Sequence, residues 1–108
     1  MLTEADAFRV GGLITVVLIG QLPTPCDEVE ELVHYPANGM GSAQIFLREG
    51  RKPGLENMYC TQGLGRIWSL NSEIRDQYSK TVEIFINDQF VRKIRVIEIT
   101  YEGWHNIH

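Results

Sequence analysis

The chain lacks most of the features that announce a chemistry. No apolar run is long enough to span a membrane; the longest, Leu13 to Ile19, is interrupted by Thr15. No basic start followed by an apolar stretch marks a secretory signal, because Met1 to Ala7 carries Glu4 and Asp6 and no lysine. That leaves either a cytoplasmic protein or a chain trimmed of its leader. Positive charge is not in excess: 10 Lys and Arg stand against 14 Asp and Glu, for a formal net charge of -4. Nucleic acid is therefore not an expected partner. The basic groups Arg48, Arg51, Lys52 and Arg92, Lys93, Arg95 carry no interleaved aromatics of the kind a nucleic-acid face needs.

Catalytic motifs are also missing. None of Ser42, Ser69, Ser72 and Ser79 sits in a G-x-S-x-G elbow, and Gly39-Met40-Gly41-Ser42 reads as a flexible turn. Gly63-Leu64-Gly65-Arg66 lacks the Gly-Lys-Ser/Thr ending of a phosphate loop and reads as a bulge or strand bend. His34 beside Glu30 and Glu31 reads as a charged edge rather than an acid–base pair. His105 and His108, even with Glu102, lie near the terminus, where a rigid metal frame is not expected. No catalytic residue, metal or cofactor is assigned. Cysteine is scarce: Cys26 and Cys60 form no CxxC, and with three histidines they give no zinc-finger spacing. An even count in a small domain fits one disulfide, and two unrelated buried thiols fit as well.

What is present is one globular domain. The chain has 108 residues, 44% hydrophobic and 22% charged, enough to bury roughly two thirds of its surface. Strand signals dominate. Leu13 to Ile19 is β-branched and bounded by glycines, and suits a strand covered on much of both faces. Gln21 to Cys26 holds two prolines and cannot be an interior strand or helix. Asp27 to Tyr35 fits a short helix with Val29, Leu32 and Val33 on one face, or a strand with Glu31 as the misfit. Pro36 to Gly39 is a turn, Ser42 to Arg48 a strand, Glu49 to Gly54 a loop, Glu56 to Gly63 a strand carrying Cys60, and Arg66 to Leu70 a strand. Asn71 to Ser79 is a polar connection. Thr81 to Ile86, Asn87-Asp88 and Gln89 to Ile99 predict a β-hairpin, since Asn and Asp tolerate the positive φ of a tight turn. Val82, Ile84 and Ile86 share one face of it; Phe90, Ile94 and Val96 share the facing one, with Arg92 as an exception. Trp68 is expected in the core. Residues 1–12 and 100–108 read as loose ends, an extra strand being the alternative for Tyr101 to His108.

About seven short strands with regular turns predict an all-β sandwich. Three groups sharpen this: Gly20-Gln21-Leu22-Pro23-Thr24-Pro25-Cys26, Tyr59-Cys60-Thr61-Gln62, and Val82 to Asp88. Together they resemble a group of small bacterial extracytoplasmic modules with a G-x-L-P-x-P-C segment, a later C-x-Q strand and a V-x-V-N-G hairpin. Asn87-Asp88 replaces the usual Asn-Gly, and Gly63-Leu64-Gly65 replaces a Pro-Phe step. The resemblance covers about residues 13–96. It implies an immunoglobulin-like sandwich, a strand over 27–35, a Cys26–Cys60 disulfide and residence outside the cytoplasm, in the periplasm, at the cell surface or secreted. It carries no catalytic residues. The acidic run after Cys26 (Asp27, Glu28, Glu30, Glu31) would raise a thiol pKa and blunt its reactivity, which also favours a structural disulfide.

The function expected is a non-catalytic binding or structural module with an unidentified protein or cell-envelope partner. Loops on a rigid scaffold usually carry recognition, so Asn38, Gly39 and Met40 in one loop and Arg51 and Lys52 in another are the candidate contacts. The rivals are a loop-based inhibitor of an extracellular enzyme and a cytoplasmic thiol protein using the two cysteines as a redox pair.

Overall fold

A computed structural model describes residues 1–37 and 41–99. It is all-β, with seven strands: β1 (Leu2–Val10), β2 (Leu13–Gln21), β3 (Asp27–Tyr35), β4 (Ser42–Arg51), β5 (Ile67–Arg75), β6 (Thr81–Ile86) and β7 (Gln89–Glu98). No helix among the described residues is long and apolar enough to cross a membrane. The strands form one sheet in the order β3-β4-β6-β7-β1-β2-β5. β7 is the shared strand: Gln89 to Arg95 pair antiparallel with β6, and Val96 to Glu98 pair parallel with β1. Buried side chains from both halves of the sheet join in a single core.

Strand alternation supplies that core. Ile14, Val16 and Leu18 of β2, Ala43, Ile45 and Leu47 of β4, and Val82 and Ile84 of β6 are fully buried. Their neighbours on the other face of β2, Leu13, Thr15, Val17 and Ile19, are half-buried, as the apolar run predicts. Each fully buried aliphatic contributes about 1.5–3 kcal/mol. Trp68 is buried as expected, and its ring lies on Gly20, its register partner. A Cβ on Gly20 would come within 2.3 Å of the indole, so only glycine fits there. The β6–β7 turn has φ of 53° at Asn87 and 65° at Asp88, the conformation a two-residue hairpin requires.

Several expectations are corrected. Residues 1–12 are not a loose end, since β1 is central in the sheet; its inward side chains include Ala5, Ala7 and Arg9, too small or too polar to show an apolar alternation. Of the two readings of Asp27 to Tyr35 the strand is the one present, as the resemblance implies, and a bulge between Glu31 and Val33 accounts for the misfit at Glu31. β5 runs through the supposed polar connection to Arg75, because Ser72 takes an inward position that apolar patterning cannot reveal. Residues 56–63 are not a strand. In β7 a register shift at Ile84/Phe85 puts Arg92 with Ile94 and Val96 on the inner side and turns Phe90 outward beside Phe85.

The strand order departs from the immunoglobulin arrangement. There the third strand lies antiparallel beside the penultimate one. Here β4 takes that place, parallel to β6, and β3 is displaced to the edge. The edge strands β3 and β5 meet where Ser72 donates to Glu31.

Candidate functional site

The connection from β4 to β5, residues 52–66, has no strand and little burial, yet it is held at several points. Pro53-Gly54 forms a type II turn: Leu55 N–H donates to Lys52 O at 3.0 Å, and Gly54 has φ of 88°. A second turn follows, with Met58 N–H on Leu55 O at 3.2 Å. The Arg51 guanidinium reaches in and donates through Nη1 to the carbonyls of Glu56 (3.1 Å) and Met58 (2.6 Å). Arg48 Nη1 in turn donates to Arg51 O at 3.0 Å. The Glu56 carboxyl is held below its usual range by its own backbone N–H and that of Gly54.

Cys60 is joined to Cys26 by a disulfide with Cα atoms 5.9 Å apart. Its anchor is itself built. Thr24 N–H and Oγ1 both donate to Asp27 Oδ2, at 2.9 and 2.7 Å, and Asp27 N–H returns to Thr24 O at 3.2 Å. The prolines before Cys26 leave this turn few alternative conformations. Past the disulfide, Gly65 N–H donates to Leu22 O at 3.0 Å and Leu22 N–H to Arg66 O at 3.1 Å. A Cβ on Gly65 would lie 2.2 Å from Thr24 O, so the two segments touch backbone to backbone.

On this frame large apolar side chains point outward. Tyr59 is 88% exposed, Leu64 73%, Ile67 70% and Met58 58%. A loop already fixed in one shape loses little entropy when it docks.

The expected contact residues fall differently. Arg51 is spent inside the loop as a clamp on two carbonyls, and Lys52 is exposed at the first turn. Asn38, Gly39 and Met40 lie outside the described residues, as do Glu102, His105 and His108. Ser42 is not a free nucleophile; its hydroxyl is hydrogen-bonded to Thr81 Oγ1. His34 does pair with Glu31, Nδ1 to Oε1 at 2.7 Å, and Ser72 Oγ donates to the same oxygen at 2.7 Å. Serine and carboxylate therefore both address one edge of the imidazole. A nucleophilic triad needs them on opposite nitrogens, so this cluster latches β3 to β5.

An open cavity of about 520 Å³ lies elsewhere, lined by Gly11, Gly12, Pro36, Ala37, Asp76 and Tyr78 among others. Asp76 is buried there and accepts from Ala37 N–H (2.8 Å), Tyr78 N–H (2.9 Å), Ser79 N–H (2.7 Å) and Ser79 Oγ (2.5 Å). Burial alone would raise its pKa; these donors outweigh that and bring it from 3.8 down to about 2. The buried Arg9 stands 3.5 Å from the carboxylate and donates through Nε to Asp76 O at 2.8 Å. With its oxygens occupied, Asp76 is a structural anchor and not an acid or base. No group of three or more His, Cys, Asp or Glu among the described residues is placed to hold a metal ion.

Compared with known proteins, the chain matches no family model, no curated sequence and no solved structure. The site thus has to be read from its own geometry. The pinned loop is what sequence reasoning missed: Met58 and Tyr59 fell within the strand expected over Glu56 to Gly63, and only their exposure identifies them as a display.

Proposed function

We propose that the protein is a non-catalytic extracytoplasmic binding module that docks loop 52–66 into an apolar recess of a partner protein. The observation that carries the reading is the exposure of Met58, Tyr59 and Leu64 on a segment fixed by Arg51 and the Cys26–Cys60 disulfide. The disulfide supports an oxidising compartment, where such bonds persist. The resemblance of the Leu-Pro-Thr-Pro-Cys and Cys-Thr-Gln segments to bacterial extracytoplasmic modules points the same way. A projecting, preorganised loop also suits inhibition of an extracellular enzyme, as one form of the same docking.

The test is site-specific photo-crosslinking in cell-envelope extracts, with the crosslinker at Tyr59 and a control at Glu73 on the outer side of β5. A discrete adduct from position 59 that is absent from position 73, and lost in C26S/C60S, supports docking through the loop. Equal adducts from both positions sink it. The rival redox reading rests on the exposure of Cys26 at the surface. It requires that the bond be opened by a glutathione-like poise, which alkylation of the native protein reads directly.

A further inference from the structure

The outer face of the β3-β4-β6-β7 half carries an aromatic band, one ring per strand. Tyr35 meets Phe46 edge-on with centroids 5.9 Å apart, Phe46 stacks on Phe85 at 4.5 Å, and Phe85 meets Phe90 edge-on at 5.8 Å. Tyr35 and Phe90, at the two ends, are 49% and 56% exposed, and Val33 beside Phe46 is 39% exposed. Phe46 and Phe85 turn their faces to each other, with an interplanar angle of 11°. They therefore show the solvent ring edges, not the flat faces on which a sugar or a base would stack. Such a ridge suits interdigitation with side chains of another sheet.

Charge says which sheet. On one side of the band, at β3, Glu28 and Glu30 share the single guanidinium of Arg48, at 3.2 and 2.8 Å, leaving one negative charge over. On the other side, at β7, Lys93 and Arg95 point outward opposite Glu83 and Thr81. Neither makes an ion pair among the described residues, and Glu83 is hydrogen-bonded to Gln44, so this corner keeps one positive charge over. β3 and β7 are the outer strands of this half. In the pairing register Glu30 lies beyond Phe46 toward Arg48, whereas Lys93 lies beyond Phe85 toward Thr81. The acidic and basic corners are therefore diagonal across the aromatic band.

We infer that this face binds a second copy of the chain. A two-fold axis lying in the plane of the face and crossing the Phe46–Phe85 stack lays each acidic corner on the basic corner of the other copy. The contact is isologous and self-complementary, and it closes at two copies. The bands cross steeply, in the orthogonal class of sheet packing. Four strands 4.8 Å apart and about 25 Å of strand length give roughly 500 Å² per copy. That is below the about 800 Å² per partner of a standard stable interface, so the dimer forms in the micromolar range and dissociates on dilution.

Sedimentation of the whole protein from about 1 µM to about 1 mM tests this. The expected result is a monomer–dimer equilibrium that weakens with added salt. Phe90→Ser, an exposed change that leaves the core alone, and the reversal K93E/R95E each weaken it by about tenfold or more. The reversal E28K/E30K does the same, with far-UV circular dichroism confirming the fold. An equimolar mixture of the two reversals restores dimerisation, because one face is then acidic at both corners and the other basic at both. A chain monomeric at the highest concentration overturns the inference, as does a dimer indifferent to these variants. So does a set of dilution-dependent NMR shifts centred on loop 52–66 instead of Val33, Phe46, Phe85 and Phe90.

Discussion

Two irregular segments of this protein are fixed in opposite ways. At the corner after β5, Asp76 gathers the N–H groups of Ala37, Tyr78 and Ser79 and stands by the buried Arg9, so the polar groups of the turn face inward. In loop 52–66 the principal anchor is covalent and lies to one side, and the apolar side chains face out. The first segment consumes its own chemistry in holding its shape. The second holds its shape while leaving Met58, Tyr59 and Leu64 free for something else. The contrast separates a structural corner from a candidate contact better than residue type does, since the corner buries Asp76 against Arg9 while the loop exposes Met58, Tyr59 and Leu64.

Breaking the corner has the largest expected effect. Asp76→Ala removes the acceptor of three backbone N–H groups and a hydroxyl and leaves the buried Arg9 with only the largely exposed carboxylate of Glu98 as its ionic partner. Losing one partner of a buried ion pair costs about 3–5 kcal/mol. Urea unfolding should show that loss in the midpoint with little change in slope. Arg9→Met should cost less than Asp76→Ala, because an apolar side chain of similar length can fill the space while Asp76 keeps its N–H donors.

Breaking the loop comes second. The double variant C26S/C60S opens a covalent loop spanning a sequence separation of 34, worth about 3–4 kcal/mol in the chain-entropy model. Its signature differs from that of the corner variant. Limited proteolysis should accelerate selectively between Lys52 and Arg66, where Arg51 and a few turn hydrogen bonds would be left to hold the chain. If proteolysis instead speeds up uniformly along the sequence, the disulfide stabilises the whole domain and the loop is not a separately fixed unit.

Acid sharpens the comparison because it acts on the corner through a defined group. The folded-state pKa of Asp76 is about 2 against 3.8 for the ordinary group. A depressed pKa contributes stability that is fully present above about pH 4 and is lost as the pH falls from there toward 2. The amount at stake is about 2 kcal/mol. Unfolding free energies measured from pH 5 to pH 2 should fall through that window, and the fall should be shallower in Asp76→Asn.

How far the sequence disclosed all this depends on where each signal was local. The β-branched apolar run Leu13 to Ile19 and the turn pair Asn87-Asp88 are local signals, and β2 and the β6–β7 hairpin followed from them. β3 was ambiguous because its bulge moves residues across the strand out of phase. β1 and the second half of β5 were hidden because Arg9 and Ser72 occupy inward positions whose partners, Asp76 and Glu31, lie 67 and 41 residues away. The cysteine pairing was legible, but the display it supports was not. Met58 and Tyr59 fall in the segment read as a strand over Glu56 to Gly63, where the chain instead takes turns at Pro53-Gly54 and Leu55 to Met58 and leaves both side chains exposed.

The smallest expected effect is the most discriminating. Tyr59→Ser and Leu64→Ser remove side chains that are 88% and 73% exposed. If these residues exist for an external partner, the isolated protein has little use for them, and each change should alter stability by no more than about 0.5 kcal/mol. It should equally leave proteolysis of the loop unchanged, since the turns, Arg51 and the disulfide remain. A loss approaching that of the disulfide variant would mean that the side chains fold back onto the protein in solution, and the loop would then be a second structural corner. Stability kept, with crosslinking from the loop lost, is the combination that only a docking role produces.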